Sequence, residues 1–303
     1  MSRVLVTGSG GFIASSLLPL LTAADHDVIA TVRPGSPVPP HLFDDRVTVT
    51  ECDLGTPAEV RELVIGHTPH TIIDLAVVRG DDLDAARRVN VTGFTSLIEA
   101  AAEIGAHVVH AGSSFEYGPH DEALGAHVEC RPATPLGITK LEASRRLAEM
   151  VRTKRLDGCT LRLFHVYGGN EPAGRLVPRA IRAATTGSPL PLTTAGFGHD
   201  LVHVDDVTEA ITAAISRRLV AADPIDLATG VCTTNEAVVD LVEAVTGRPV
   251  DRRIGAFPAR SHDRATWLGD SRAASELLGR APRSLRDGLA RIVAGLEQPV
   301  TRP

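Results

Sequence analysis

Apolar and polar positions in the first half of the chain form blocks that predict strands and helices in alternation. Short, largely apolar runs are typical of strands buried in a parallel sheet. Such runs occupy residues 4–6, 28–32, 47–51, 71–75, 108–111 and 160–163. Helical patterns lie between them, at residues 58–66, 83–104 and 137–154. Because strands that alternate with helices build right-handed crossovers, the pattern predicts an α/β fold with a doubly wound parallel sheet.

The start of the chain carries the most specific local signal. The first apolar run ends in a glycine-rich turn with Gly8, Gly10 and Gly11, and an apolar helical pattern follows from Ile13 to Leu21. Glycines let backbone N–H groups approach a pyrophosphate, and the N-terminus of a helix adds partial positive charge. This order of strand, turn and helix predicts a dinucleotide-binding domain of the Rossmann type, with an ordinary glycine turn as the alternative.

The rhythm of the pattern changes after about Val166. Helices are predicted at residues 176–186, 207–218, 235–246, 271–278 and 284–296, with extended pieces at 189–192, 201–203 and 225–228. We therefore expect an NAD(P)-binding Rossmann domain over residues 1–166. Residues 167–303 are expected to form, for the most part, a smaller C-terminal substrate-binding lobe. This lobe is discontinuous, because some of its segments return to the Rossmann sheet.

Charge and composition narrow the classes of partner. The formal net charge is 31 − 37 = −6 and no basic cluster appears, so nucleic acid is not an expected partner. No apolar run reaches the ~18 residues that a membrane helix needs, and the first strand begins too early for a signal peptide. The four cysteines are far apart and form no metal-binding spacing. We expect reduced thiols, no metal site and a cytoplasmic protein.

Several motifs, taken together and in this order along the chain, resemble those of one enzyme family. They are TGSGGFIA (7–14), CDL (52–54), DLA (74–76), NVTG (90–93), SSFEYG (113–118), the helix that carries Lys140, RLFHVYG (162–168) and DLVHVDD (200–206). The chain resembles the extended short-chain dehydrogenases/reductases, the NAD(P)-dependent epimerases, dehydratases and 4-ketoreductases of nucleotide sugars. The resemblance runs from Thr7 to about Leu289.

The resemblance implies a set of cofactor-binding residues. They are Gly8, Gly10, Gly11, Phe12, Ile13, Arg33, Asp53, Leu54, Leu75, Ala76, Asn90 and Lys140. Within this set Asp53 and Leu54 resemble the pair that lies along the adenine, although Asp53 would also suit a turn before a helix. Asn90 resembles the family asparagine that holds a bend in its helix, and Lys140 the lysine that contacts the nicotinamide ribose.

The choice between NADP and NAD depends on the tip of the second strand. NAD users of the family have an acidic residue there for the ribose 2′-hydroxyl. This chain has Arg33 instead, and a guanidinium pairs well with a 2′-phosphate. We therefore predict NADP as the preferred cofactor over NAD, with a plain solvated loop arginine as the alternative.

The catalytic motif departs from the family pattern at one position. Family members use a Ser or Thr together with Tyr-x-x-x-Lys on one helix, and the phenol gives or takes the proton as hydride moves. Ser113 and Lys140 match, but Leu136 stands at the tyrosine position. Loss of a positioned general acid typically costs about 10²–10⁴ in rate. Either another group moves the proton, or the chemistry differs, or the chain no longer turns over.

Three residues are candidates for the missing proton donor. Tyr117 follows the catalytic serine, Tyr167 is the other tyrosine of the chain, and His165 stands where relatives commonly have asparagine. A histidine near the sugar would exchange protons around neutral pH. The alternatives are a packing tyrosine and a histidine bonded to the backbone.

The resemblance also implies substrate and subunit contacts. Candidate substrate-binding residues are Glu116, Arg175, His199 and Arg264, with the two arginines as clamps for a nucleotide diphosphate. Ordinary surface arginines are the alternative. The helices over 83–104 and 137–154 resemble those through which relatives form homodimers.

The function that we expect is reduction of a 4-keto group on a nucleotide-activated deoxysugar with an atypical proton donor. A 4-epimerase and a 4,6-dehydratase are close alternatives. Dehydratases of the family have an Asp-Glu pair after the serine, whereas this chain has only Glu116. A catalytically impaired cofactor-binding sensor, favoured by Leu136, and a reductase of small carbonyl compounds remain as further alternatives.

Overall fold

The computed structural model describes residues 2–120, 122–257 and 267–297. Its strands are β1 (Arg3–Thr7), β2 (Asp27–Val32), β3 (Val47–Glu51), β4 (Thr71–Asp74), β5 (His107–Ser113), β6 (Asp157–Leu163), β7 (His165–Tyr167), β8 (Leu190–Pro191), β9 (Gly198–His203), β10 (Ile225–Leu227), β11 (Cys232–Thr234) and β12 (Arg252–Arg253). Its α-helices are α1 (Phe12–Ala23), α2 (Pro57–His67), α3 (Leu83–Arg87), α4 (Phe94–Ile104), α5 (Pro135–Arg152), α6 (Leu176–Thr186), α7 (Val204–Ser216), α8 (Asn235–Thr246), α9 (Arg272–Leu278) and α10 (Leu285–Glu297).

The main sheet confirms the predicted doubly wound Rossmann architecture. Within the described residues it has seven strands in the order β10-β6-β5-β4-β1-β2-β3. The pairs from β3 across to β6 are parallel. The order reverses beside β1, because β2 and β4 lie on opposite sides of it. In open α/β sheets the crevice at such a switch point, at the carboxyl ends of the strands, is where ligands bind.

Apolar side chains from the strands pack with those of the covering helices to form the core of this sheet. Leu5, Ile72 and Val108 of β1, β4 and β5 join Leu97 of α4 and Leu147 of α5 in one buried cluster. Full burial of such a side chain contributes roughly 1.5–3 kcal/mol. The core therefore fixes the strands whose ends carry the candidate site.

The chain divides into two compact units, each of which is discontinuous. Within the described residues, the first consists of residues 2–118, 126–163 and 208–226. The second consists of residues 119–120, 122–125, 164–207, 227–257 and 267–297. The second unit contains the sheets β11-β9-β7 and β12-β8. Its own core includes Tyr167, Val177, Val239 and Leu289.

Several elements differ from the sequence prediction. The helix expected over residues 83–104 is interrupted by a π-helical turn at Arg88–Gly93. α7 begins at Val204 rather than at residue 207. The strands β7, β11 and β12 were not predicted, because each has only two or three residues and owes its conformation to a partner strand far along the chain.

No helix in the described ranges is both long enough and apolar enough to cross a membrane.

Candidate active site

The glycine-rich turn after β1 forms a cradle that only glycine permits. Gly8 has a φ of 66°, and a Cβ there would lie 2.8 Å from the backbone of Leu75 and Ala76. The Gly11 N–H donates to the Gly8 carbonyl at 2.9 Å, which closes the turn. α1 then begins at Phe12, and Gly11 has no side chain to cap it. The first N–H groups of the helix are therefore available to an anion, as a pyrophosphate requires.

A cleft of about 430 Å³ opens beside this turn at the carboxyl ends of β1 to β4. It brings together most of the predicted cofactor residues: Gly8, Gly10, Gly11, Arg33, Asp53, Leu54, Leu75 and Ala76. Phe12 and Ile13 are the first two residues of α1. The shape and the backbone donors of this cleft fit a dinucleotide.

The segment after β2 shapes one end of the cleft. Gly35 has a φ of 70°, and the Ser36 N–H donates to the Arg33 carbonyl at 3.0 Å. This turn brings Arg33 and Ser36 to the cleft wall, where both are lining residues. Glu51 accepts the Gly35 N–H at 3.3 Å, which ties the end of β3 to the turn. Sequence reasoning missed Ser36, which the Arg-Pro-Gly-Ser turn would have indicated.

Asp53 combines its two expected roles. Its carboxylate accepts the Gly55 N–H at 2.9 Å, as a turn residue does, and it also lines the cleft. Arg88 donates to the same carboxylate at 2.9 Å. The hydrogen bond from Gly55, followed by that from Arg88, lowers the pKa of Asp53. An adjoining hollow is lined by Arg33, Asp53 and Arg88 together, and Arg88 was not predicted from the sequence.

Asn90 holds the chain after β4 rather than lining the cleft. The side chain is buried in the π-helical turn, and its amide nitrogen donates to the Val78 carbonyl and to Thr139 Oγ1, both at 3.0 Å. Its Oδ1 accepts the Val78 N–H at 2.8 Å. Val78 lines the cleft, so Asn90 supports the cleft by holding Val78 in place. This agrees with an asparagine that holds a bend in its helix.

Lys140 and Leu136 lie one turn apart on α5, so they share a face of the helix. Lys140 is buried, with 3% of its surface exposed, and its Nζ donates to the Ala76 carbonyl at 3.3 Å. Burial lowers the pKa of Lys140, while the charges of Asp74 and Glu116 oppose that shift. Leu136 is half-buried and offers no polar atom at the tyrosine position.

Ser113 ends β5 and begins a short 3₁₀ turn at Ser114–Glu116. Its Oγ accepts the Phe115 N–H at 3.3 Å. A serine hydroxyl that accepts one hydrogen bond still carries its own proton to donate. The expected donor to a reacting oxygen is therefore chemically competent in this position.

Glu116 is not placed where a substrate contact was expected. Its side chain is fully buried, and its carboxylate accepts hydrogen bonds from the Ser113 N–H, Ser144 Oγ and Arg162. A buried carboxylate needs such pairing to remain ionised. Glu116 therefore supports the turn below Ser113 and is not a substrate-binding residue in this structure.

Tyr117 is likewise buried and hydrogen-bonded inside the first unit. Its ring is buried, and its hydroxyl donates to Asp226 Oδ2 at 2.7 Å. Burial and then the charge of Asp226 raise the pKa of Tyr117 well above its usual value. The structure thus argues against Tyr117 as the substitute proton donor. The sequence did not show this, because Asp226 lies 109 residues further along the chain.

A buried polar network beneath Lys140 was not predicted. Asp74 ends β4, and it accepts from Thr7 Oγ1 at 2.5 Å and from His110 Nδ1 at 2.8 Å. Burial lowers the pKa of His110, so the ring is neutral. Burial favours the neutral acid of Asp74 as well, but the hydrogen bond from His110 and the charge of Lys140 outweigh it and keep the pKa of Asp74 low. The network therefore places one carboxylate charge near Lys140.

In the second unit, His165, Arg175 and His199 are close together. Arg175 Nη2 lies 2.9 Å from His165 Nε2, and the rings of His165 and His199 lie 5.0 Å apart. Because a guanidinium stays protonated, it must donate here, so His165 carries its ring proton on Nδ1. Arg175 also pairs with the buried Glu171 at 3.0 Å, which sequence reasoning missed. Arg264, the remaining predicted substrate residue, lies outside the described residues.

Comparison with known proteins agrees with this geometry. Residues 4–226 match the model of the NAD dependent epimerase/dehydratase family. An uncharacterised UDP-glucose epimerase of Bacillus subtilis is 25% identical over 97% of this chain and 98% of its own. A 3-diazoavenalumate denitrifying reductase of a Streptomyces species is 31% identical over 70% of this chain and 72% of its own. The solved structure of MoeE5 with UDP-glucose and NAD superimposes with a TM-score of 0.84, at 28% identity over 98% of this chain and all of that one.

The glycine turn, the cleft and these matches together indicate an enzyme with a Rossmann fold that uses a dinucleotide cofactor. The chain belongs to the NAD dependent epimerase/dehydratase family, whose members in this comparison include UDP-glucose epimerases.

Proposed function

We propose that this protein uses NADP to reduce the 4-keto group of a nucleotide-activated deoxysugar. The observation that carries the proposal is Arg33 at the tip of β2, where it lines the cleft. A guanidinium there favours a 2′-phosphate over a bare ribose. NADP is a cofactor that is consumed and replaced, which suits net reduction better than internal epimerisation.

The residues of the first unit have distinct roles in this proposal. Backbone N–H groups of the turn at Gly8–Gly11 hold the pyrophosphate, and Asp53 and Leu54 border the adenosine. Arg33, with the Ser36 hydroxyl beside it, receives the 2′-phosphate. The bound dinucleotide supplies the hydride. Ser113 donates a hydrogen bond to the carbonyl oxygen of the substrate and so favours the negative charge that develops there.

The substrate class rests on the relatives and on the second unit. MoeE5 binds UDP-glucose, and several relatives are described as UDP-glucose epimerases. We propose that Arg175, His165 and His199 contact the nucleotide part of the substrate, with Arg264 as a further candidate from the sequence. Bidentate donors of the arginine type match a diphosphate well.

Turnover distinguishes reduction from epimerisation. With a nucleotide-linked 4-keto-6-deoxyhexose, we expect NADPH to be oxidised in one-to-one stoichiometry with the alcohol formed. The measurement is the loss of NADPH absorbance together with analysis of the sugar product. Interconversion of UDP-glucose and its 4-epimer without net loss of cofactor would contradict the proposal and support an epimerase.

Substitution of Arg33 tests the choice of cofactor. We expect Arg33→Ala to weaken NADPH binding by about tenfold or more, because a charge-assisted pair contributes about 1.5–3 kcal/mol, and to leave NADH binding nearly unchanged. Fluorescence titration with both cofactors measures this. Arg46→Ala, at an arginine paired with Asp44, is the matched control. An Arg33→Ala variant that keeps its preference for NADPH would refute the role of Arg33.

A second candidate function is favoured by Leu136 and by the denitrifying reductase among the relatives. Hydride addition to the terminal nitrogen of an aryl diazonium forms an N–H bond, and loss of N₂ then transfers that hydrogen to the ring carbon. This reaction needs no separate proton donor, so a leucine at the tyrosine position would not hinder it. Release of N₂ from an aryl diazonium with NADPH, and no oxidation with keto sugars, would establish this candidate instead.

A further inference from the structure

We propose that Lys140 itself donates the proton to the substrate oxygen, in place of the absent tyrosine. The inference rests on the proposed ketone reduction and assigns its missing acid. It starts from the position of Lys140 on α5 and from the groups packed around its ammonium.

The face of α5 that carries Lys140 packs against the turn that begins at Ser113. A Cβ at Gly137 would overlap the Phe115 carbonyl, so the helix and the turn are in direct contact there. Two turns further along, Ser144 Oγ donates to Glu116 at 3.1 Å. Lys140 lies between these two contacts on the same face, because residues three, four and seven apart on a helix align. The base of its side chain is therefore held beside the Ser113 turn.

The far end of the side chain reaches the wall of the cofactor cleft. Lys140 Nζ donates to the carbonyl of Ala76, and Ala76 is a lining residue of that cleft. An ammonium has three donors, so this contact leaves protons that can be given to a bound substrate. The lysine thus has both the reach and the protons that the role requires.

The charges around Lys140 come from three elements. Asp74 at the end of β4 and Glu116 in the 3₁₀ turn favour the ammonium, whereas Arg79 after β4 disfavours it. His110 on β5 is neutral and is bound to Asp74. Burial is the largest influence and lowers the pKa of Lys140 overall. Lys140 therefore gives up its proton more readily than an exposed lysine does.

Two other proton-carrying side chains of the first unit already donate hydrogen bonds to carboxylates. Tyr117 donates its hydroxyl proton to Asp226. His110 is neutral, and its Nδ1 proton is bound to Asp74. Ser113 is far too weak an acid to end the reaction alone, although its hydroxyl can position the oxygen. Lys140 is a cationic acid whose ammonium is bound at the cleft wall.

The proton balance of the step is simple. The hydride of the reduced nicotinamide becomes the new C–H bond at the keto carbon, and the carbonyl π pair moves to oxygen. The N–H bond of Lys140 breaks, its proton forms the new O–H bond, and the lysine is left neutral. Water then returns a proton to Lys140. The products are the alcohol and the oxidised cofactor, and no further reactant is needed.

The first test measures the lysine directly, without turnover. The chain has only two lysines, Lys140 and Lys154, so protein labelled with ¹³C-lysine gives two Cε signals by NMR. With NADPH bound, we expect the Cε signal of Lys140 to titrate below the ordinary lysine value of about 10.4, because burial disfavours its ammonium. A Lys154→Arg variant assigns the signals. A midpoint for Lys140 at or above the ordinary lysine value would overturn the inference.

The second test separates proton donation from cofactor positioning. Lys140→Arg keeps the positive charge but cannot release a proton near neutral pH. We expect NADPH affinity within about tenfold of the unmodified protein and ketone reduction slower by about 10²–10⁴. Adding Leu136→Tyr to Lys140→Arg should restore much of the rate, because the phenol supplies the acid. Lys154→Arg is the matched control and should have no effect.

The outcomes keep this inference apart from the proposed function. If Lys140→Arg retains more than about a tenth of the rate, donation by Lys140 is refuted while ketone reduction stands. If the unmodified protein binds NADPH but reduces no nucleotide-linked ketone, the proposed function fails, whatever the NMR midpoint.

Discussion

At Leu136 one side chain separates this protein from the usual chemistry of its family. The surrounding residues keep their places: Ser113 ends β5, and Lys140 donates to Ala76 at the cleft wall. A site that had lost all function would have no need of a buried lysine, since burying an ammonium is costly unless it is compensated. Here the charges of Asp74 and Glu116 offset part of that cost. These contacts therefore favour a site in which another group transfers the proton over a site that has lost its activity.

We expect Glu171 to make the stability of the protein depend on pH. Burial raises the pKa of Glu171 to about 7, against 4.5 for an ordinary glutamate. A raised carboxyl pKa means that the folded state favours the protonated form. The stability from this group is complete below about pH 4.5 and is lost as the pH rises through about 7.

Substitution of Glu171 tests this linkage. Between about pH 5 and pH 8 we expect the unmodified protein to lose up to about 3 kcal/mol more unfolding free energy than Glu171→Gln, because the amide cannot ionise. Urea unfolding at several pH values measures the difference. Glu142→Gln, at an exposed carboxylate paired with Arg87, is the matched control. Parallel stability curves for Glu171→Gln and the unmodified protein would show that Glu171 is ionised throughout.

At the scale of residues, the position of a side chain could be predicted from the sequence only where the residues that it contacts are close to it along the chain. The glycine turn could be predicted because its strand, turn and helix are consecutive. The burial of Glu116 and Tyr117 could not, because their partners Arg162 and Asp226 lie 46 and 109 residues away. The Asp74–His110 pair was missed for the same reason, since two polar residues in apolar strands do not reveal each other.

At the scale of elements, the long secondary structures were predictable and the short ones were not. The helices at Leu176–Thr186 and Asn235–Thr246 have the predicted bounds, because periodic apolar positions repeat over three turns. The π-helical turn at Arg88–Gly93 had no periodic signal. It widens the helix where Asn90 reaches Val78 and Thr139, so its cause is tertiary. This turn also brings Arg88 to Asp53, next to the cofactor cleft.

At the scale of the whole molecule, the parallel sheet could be predicted from alternation alone, but the bounds of the later segments that return to the first unit could not. Residues 208–226 belong to the first unit although they follow a stretch of the second. The boundary between the two units falls within α7. The apolar pattern of this helix continues across that boundary and does not reveal it. Compact units depend on contacts across the chain, which local periodicity does not record.

We also propose that two copies pair through the helices over 83–104 and 137–154. α3 and α5 are joined by the ion pair of Arg87 and Glu142 at 2.9 Å, so the two predicted surfaces are adjacent. Sedimentation velocity at micromolar concentration should show a dimer. A monomer over the whole concentration range would refute this arrangement.

We propose that hydride transfer to a nucleotide-linked ketone persists in a site without the tyrosine. The most direct measurement is a single turnover with NADPH deuterated at the transferring C4 position, followed by mass spectrometry of the sugar, for the unmodified protein and for Leu136→Tyr. We expect deuterium at the former keto carbon with both proteins, and a faster reaction with the tyrosine. Deuterium with Leu136→Tyr alone, or with neither protein although NADPH binds, would contradict it.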